Sequence, residues 1–110
     1  MNHTPGMTDE QLEQAIAAKP AAKVTVASMQ ERIAKTHFWC PENTTLTVCV
    51  IELDNGFTTV GEAACASPAN FDPEIGKELA YKQAFNKLWP LFGFLLTEKQ
   101  HDIRNGANIA

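Results

Sequence analysis

The chain has 110 residues, 45% of them hydrophobic and 20% charged, which is ordinary globular composition and allows one domain at most. Its net charge of −4 and pI near 5.2 argue against a nucleic-acid binder that works by neutralising phosphates. No apolar run reaches the roughly 18 residues needed to span a bilayer, and Met1 to Gly6 lacks the charged and apolar stretches of a secretory signal, so a cytoplasmic protein is expected.

The first seven residues read as frayed. Thr8-Asp9-Glu10-Gln11 fits a capping box, with the threonine accepting from the backbone and the glutamine reaching back. It opens a short helix through Leu12, Ala15 and Ile16 to about Lys19, which Pro20 stops. Thr25 is a second N-cap, followed by a stripe of Val26, Met29, Ile33 and Phe38. Gln30, Glu31, Arg32 and Lys35 would form the solvated face of that second helix. Residues 1–23 are accordingly assigned to a flexible N-terminus carrying a short helix.

Cys40-Pro41-Glu42-Asn43 is a turn. Thr44 to Leu53 is dense in β-branched residues and reads as a strand, and Phe57 to Cys65 reads as the returning one. Asn55-Gly56 is the favoured centre of a two-residue type I′ turn, because both central positions need positive φ. That loop would set Leu53 opposite Thr58, Ile51 opposite Val60, Cys49 opposite Glu62 and Leu46 opposite Cys65. One face then carries Leu46, Val48, Val50, Ala63 and Cys65; the other carries Cys49, Ile51, Leu53 and Val60 with Thr47, Thr58 and Glu62. A ribbon apolar on both sides is not stable alone in water, so helices must cover one face, and more helix or a second subunit the other.

Asp72-Pro73 starts a helix, with an N-cap carboxylate and proline at the first helical position. Ala80, Tyr81, Ala84, Phe85 and Leu88 make its apolar stripe, and Pro90 should break or kink it. Leu91, Phe92, Phe94, Leu95 and Leu96 then form a greasy segment ending at Lys99. His101 to Ala110 is polar, and a disordered tail is expected over 100–110. The fold class is therefore α+β, a single domain over 24–99: two N-terminal helices, one antiparallel β-hairpin, and a long C-terminal helix kinked at Pro90.

The stretch from about Val24 to Lys99 resembles the Gp-forty-nine/sixty-six family of small phage and prophage proteins, the N-four/Sf-six type. The residues that carry the resemblance are Thr44 to Cys49, Asn55-Gly56-Phe57, Gly61-Glu62, Ser67-Pro68-Ala69-Asn70-Phe71-Asp72, Ile75-Gly76, Ala80 with Ala84, and Trp89-Pro90-Leu91 with Gly93. The first 20 residues and the polar tail lie outside it. The resemblance implies a small accessory protein working in the cytoplasm of an infected host cell, and it transfers no catalytic residues.

Several residues have a structural explanation first. Gly61 would let an aromatic or a helix approach the ribbon closely. Gly76 costs about 1 kcal/mol relative to alanine in a helix interior, which points to close packing there. His37, Cys40, Cys49 and Cys65 form a permissible zinc set, but their spacing is not that of a zinc finger, and the register above sends Cys49 and Cys65 to opposite faces. No metal and no cofactor is expected. Three cysteines without a Cys-x-x-Cys pair read as reduced, mostly buried thiols. Nothing supplies a base, an orienting acid and an oxyanion site together, so no catalytic residue is assigned. Lys77, Lys82 and Lys87, five apart, scatter around the helix and form no basic stripe for nucleic acid.

What remains is surplus apolar surface, and the expected partners follow from it: an unidentified host protein and a second copy of the chain, in a homo-oligomer with a dimer favoured. The expected function is non-enzymatic binding and modulation of a host factor during infection. Aromatic anchors dominate interfaces, so the candidate contacts are Trp39, Phe57, Trp89, Phe92 and Phe94. The alternative is an oligomer that sequesters a nucleotide signal, with Tyr81, Lys82 and Thr58 lining a pocket between subunits.

Overall fold

A computed structural model describes residues 6–18 and 22–106, with α1 over Asp9–Ala17 and α2 over Val26–Gln30. Both starts are fixed by threonine. The Thr8 hydroxyl accepts from the Gln11 amide and the Gln11 side chain returns to the Thr8 amide; Thr25 and Ser28 make the same reciprocal pair. The stop expected at Pro20 and the character of residues 1–5 and 107–110 lie outside the described residues.

Beyond Thr25 the reading of one helix through Phe38 is corrected. α2 ends at Gln30, and Ile33 to Trp39 form a strand, β1, that the hairpin reading did not contain. Three antiparallel strands follow in chain order: β1 (Ile33–Trp39), β2 (Leu46–Leu53) and β3 (Thr58–Ala64), with β2 in the centre. The sequence Thr36-His37-Phe38-Trp39 is rich in strand formers, and a turn at Glu31-Arg32 separates it from α2. Arg32 secures that corner: its carbonyl accepts from the Asp54 amide, and its guanidinium pairs with the Asp54 carboxylate at 2.8 Å.

The hairpin register is also corrected by one residue. Ile51 lies opposite Thr59, Val50 opposite Val60, Cys49 opposite Gly61 and Leu46 opposite Ala64. The loop has three residues, Asp54-Asn55-Gly56. The Leu53 carbonyl accepts from Gly56, and the Leu53 amide donates to the Phe57 carbonyl. Only Gly56 takes a positive φ, +89°, while the Asn55 side chain accepts from the Phe57 amide. This is a turn closed by a left-handed glycine, not the two-residue I′ turn, in which both residues have φ above zero. A slip of one residue exchanges the faces of a strand. The buried face accordingly holds Thr47, Cys49, Ile51 and Leu53 of β2 with Thr59 and Gly61 of β3.

α3 (Pro73–Asn86) starts at Asp72, whose carboxylate accepts from the Glu74 amide, with Pro73 in the first turn. It packs across β2 and β3. A short 3₁₀ turn, Pro68–Asn70, leads into it. The core combines Met29 of α2, Cys49, Ile51 and Leu53 of β2, Ala80 and Ala84 of α3, and Leu88 and Phe92 beyond.

The long C-terminal helix is interrupted at Lys87 and resumes as α4, Leu88–Arg104. Pro90 is the third residue of α4. It has no N–H for the Asn86 carbonyl four residues back and its ring crowds that carbonyl, so the break falls one turn before the proline. α4 runs past Lys99 to Arg104 and ends where Gly106 turns left-handed at φ +69°, a common helix stop. The radius of gyration is 18.0 Å, against about 13 Å for a compact chain of 100 residues. Part of the molecule therefore lies off the core.

Candidate functional site

The two edges of the sheet are treated in opposite ways. At β3 the helix layer comes down onto the strand. A Cβ on Gly61 would collide with the Ala80 carbonyl oxygen and the Ala84 nitrogen of α3, so glycine is what permits the approach. The buried Thr59 hydroxyl donates to the Ala84 carbonyl at 3.1 Å. Gln83 then accepts from the Glu62 amide at 2.7 Å, and the Lys87 ammonium donates to the Val60 carbonyl. Those are backbone groups on the outer side of β3, and α3 side chains occupy them.

At β1 there is no such cover. Ladder alternation fixes which backbone groups face outward. Leu53 and Thr45 bond to Phe57 and Cys65 of the returning strand, whereas Asp54 bonds to Arg32. Odd residues of β2 therefore bond toward β3 and even ones toward β1. Their β1 partners are Lys35, His37 and Trp39, opposite Glu52, Val50 and Val48. The N–H and C=O groups of Thr36 and Phe38 point away from the sheet. Among the described residues no side chain or backbone group bonds to them, and Ala34 to Trp39 are all exposed. α3 packs on β2 and β3 and reaches β1 through the Lys77 side chain over Phe38.

The sheet face opposite α3 is exposed at both outer strands and half-buried along β2 among the described residues. It carries Lys35, His37 and Trp39 of β1, Val48, Val50 and Glu52 of β2, and Val60 and Glu62 of β3. Trp39 is 64% exposed. His37 Nε2 lies 3.6 Å from the Glu52 carboxylate. On the helix side, β1, α2 and α3 border a groove of about 680 Å³. Phe38 is on one wall and Tyr81, Phe85, Lys77 and Lys82 on the other. Tyr81 stacks on Phe85 with ring centroids 5.9 Å apart, and the Lys77 ammonium sits 6.0 Å over the Phe38 ring.

The second region is α4. Leu88 and Phe92 are its buried residues, and beyond Phe92 the helix buries no further side chain. Phe94 is 64% exposed, with Leu91, Leu95 and Ile103 also exposed. The five aromatic candidates are thus not brought together. Phe92 is 9% exposed and belongs to the core, with the Arg32 guanidinium over its ring at 5.9 Å. Trp89 is at the start of α4, edge-on to Phe85. Phe57 is beside the hairpin turn, exposed, at the end of the sheet where Arg32 and Phe92 meet. Trp39 is at the other end of β1, six residues on, about 20 Å away at ~3.3 Å per residue. Of the alternative ligand set, Tyr81 and Lys82 share the groove, while Thr58 is on β3 and faces the open side.

The cysteines do not make a chemical centre. Cys49 is buried, and its burial pushes the thiol above its ordinary value. The corrected register removes the argument that Cys49 and Cys65 leave opposite faces, because odd residues of both strands face α3. Cys65 lies past the end of β3 and donates to the Ser67 carbonyl. Among the described residues no three His, Cys, Asp or Glu side chains converge as metal ligands. Burial also raises the Tyr81 phenol, with smaller contributions from Cys49 and Glu78. The β1 edge escaped sequence reasoning, although the break in helical spacing after Ile33 and the run Thr36 to Trp39 were signals for it.

Compared with known proteins, the chain matches the model of the Phage protein (N4 Gp49/phage Sf6 gene 66) family over residues 7–100. The match starts ahead of α1, so this helix lies within the family region, whereas the resemblance read from the residues began at Val24. No curated protein and no solved structure matches the chain.

Proposed function

The chain belongs to this family of phage proteins, and from that premise we propose a non-enzymatic accessory protein that binds and modulates a host protein in the cytoplasm of the infected cell. The observation that supports this most is the free half of α4. A helix that leaves its own core with Leu91, Phe94 and Leu95 exposed presents an apolar ridge of the kind that docks in a partner's groove. Trp89 and Phe57 are exposed as well, but at about 3.6 residues per turn Trp89 leaves the other side of α4 from Leu91. Phe57 sits beside the hairpin turn, so the ridge is Leu91, Phe94 and Leu95. Among the described residues no helix is long and apolar enough to cross a membrane.

The test is quantitative capture from host lysate by the wild-type chain and by Phe94→Ala and Leu95→Ala variants, read by native mass spectrometry. A host protein held at fixed stoichiometry by the wild type and lost from the variants supports the reading. Retention of every captured protein by both variants overturns it.

The groove favours one other reading, a small planar anion held between Tyr81 and Lys82. The stacked rings suit a planar base and Lys82 an anionic group, while Glu74, paired with Lys77 at 3.6 Å, and Glu78 also line the groove. A purified protein whose absorbance is raised near 260 nm, and falls to the value for protein alone after denaturation and desalting, would favour that reading over host-protein binding.

A further inference from the structure

The exposed edge of β1 has a specific geometry that no ligand discussed above uses. Thr36 and Phe38 offer alternating N–H and C=O groups to solvent at the outer side of the strand. Another β-strand satisfies such a row completely, which is why natural sheets cover, charge or twist their edges. This molecule protects β3 with Gln83 and Lys87 and leaves β1 bare.

We propose that β1 is a self-pairing edge: two copies of the chain join β1 to β1, antiparallel, about a two-fold axis at His37, and so form one six-stranded sheet. The occupant is a second copy for three reasons. With one edge closed and one free, pairing stops at two copies, which gives a closed dimer and not a growing sheet. The regular part of β1 is Lys35–Trp39, since the register shifts between Ile33 and Lys35 and Pro41 follows. The midpoint of that stretch is His37, so full overlap of two copies puts the axis there. In that register Thr36 faces Phe38 of the second copy, which are the residues whose backbone groups point outward, and both pairs of bonds close.

The side chains fit the same arrangement. On the open face Lys35 meets Trp39 of the second copy on either side of the axis, an ammonium beside an indole, a favourable pairing. His37 meets its own symmetry mate, with Glu52 beside each ring. The neighbouring registers lack this match. With Thr36 opposite Thr36, Phe38 faces Ala34 at the irregular end of the strand. With Phe38 opposite Phe38, Thr36 faces Cys40, past the end of the strand.

The test measures mass by sedimentation velocity for the full chain over a concentration series. The wild type should be a dimer. Trp39→Lys changes an exposed side chain and sets like charges opposite each other twice, so dimerisation should weaken roughly tenfold or more. Adding Lys35→Glu to Trp39→Lys restores opposite charges and should restore the dimer. Thr36→Pro removes an outward N–H that β2 does not use, a position where edge strands accept proline, and should give a folded monomer. Should Thr36→Pro fail to fold, the charge pair alone decides. A wild type that stays monomeric at hundreds of micromolar overturns the proposal, as does a dimer that Trp39→Lys leaves unchanged. A monomer whose β1 pairs only with a host protein would assign the edge to a different chain and also overturn it.

Discussion

The two edges of one small sheet differ more than its two faces do. At β3, glycine, threonine, glutamine and lysine contacts tie the strand to α3 through its backbone and close its outer row of bonding groups. At β1, five successive residues from Lys35 to Trp39 are exposed, and α3 reaches them only with the Lys77 side chain over Phe38. The cause is an offset. One helix of 14 residues is about as wide as two strands, and it rests on β2 and β3. The lesson is that in a domain with one covering helix, the position of that helix decides which edge is finished and which remains open for a partner.

The largest test of the comparison is at its closed end. Gly61→Ala forces a methyl into the Ala80–Ala84 backbone, where nothing flexible can yield. It should cost about 3 kcal/mol or more, read as a lower denaturation midpoint at unchanged slope. A loss under about 0.5 kcal/mol, the range of ordinary surface changes, would mean the helix is not seated as described.

Phe92 and Phe94 carry the same contrast into α4. Phe92→Ala empties a core position and should cost about 3 kcal/mol, while Phe94→Ala should change stability by no more than about 0.5 kcal/mol. If the costs are equal, α4 does not leave the core after Phe92.

Gln83→Ala reopens the β3 edge by removing the acceptor of the Glu62 amide. The expected cost is about 1 kcal/mol; with Lys87→Ala added, which also frees the Val60 carbonyl, both edges are open and self-association should go beyond a dimer. An assembly that remains unchanged in the double variant would show that Gln83 and Lys87 are not what keeps β3 closed.

The smallest effect is a pH dependence inside the covered half. Burial raises the Cys49 thiol above its ordinary value, so the unfolded chain ionises first as the pH rises. Cys49 therefore contributes nothing to pH dependence at neutral pH, and stability falls as the pH rises through and above the ordinary thiol range. Comparing stability at neutral and alkaline pH for the wild type and Cys49→Ala should show a shallower alkaline loss in the variant. An equal loss in both would place that thiol in water.

Much of the fold was legible because its signals are local. Thr8, Thr25 and Asp72-Pro73 each mark a helix start by capping chemistry, and Asn55-Gly56 marks the hairpin. Loop length was not, because Asn-Gly serves both a two- and a three-residue connection. What decides between them is distant: Gly61 has to lie beneath Ala80 and Ala84, which requires the register that places it opposite Cys49. β1 was hidden for a related reason. Exposed on both faces, it shows no alternation of apolar and polar residues, and Met29 and Ile33 are four apart as in a helix. The candidate site was legible as composition only. Trp39, Phe57, Trp89 and Phe94 are exposed, but Phe92 is used by the core, and the outward bonding groups of Thr36 and Phe38 belong to the backbone, which side-chain reasoning does not register.

The most direct measurement is residue-resolved amide exchange across the concentration range of the mass measurements, comparing Thr36 and Phe38 with Glu62. Self-pairing of β1 requires the Thr36 and Phe38 amides to be protected at high concentration and to lose that protection on dilution or with Trp39→Lys, while Glu62, held by Gln83, stays protected throughout. Fast exchange of Thr36 and Phe38 at every concentration would contradict it.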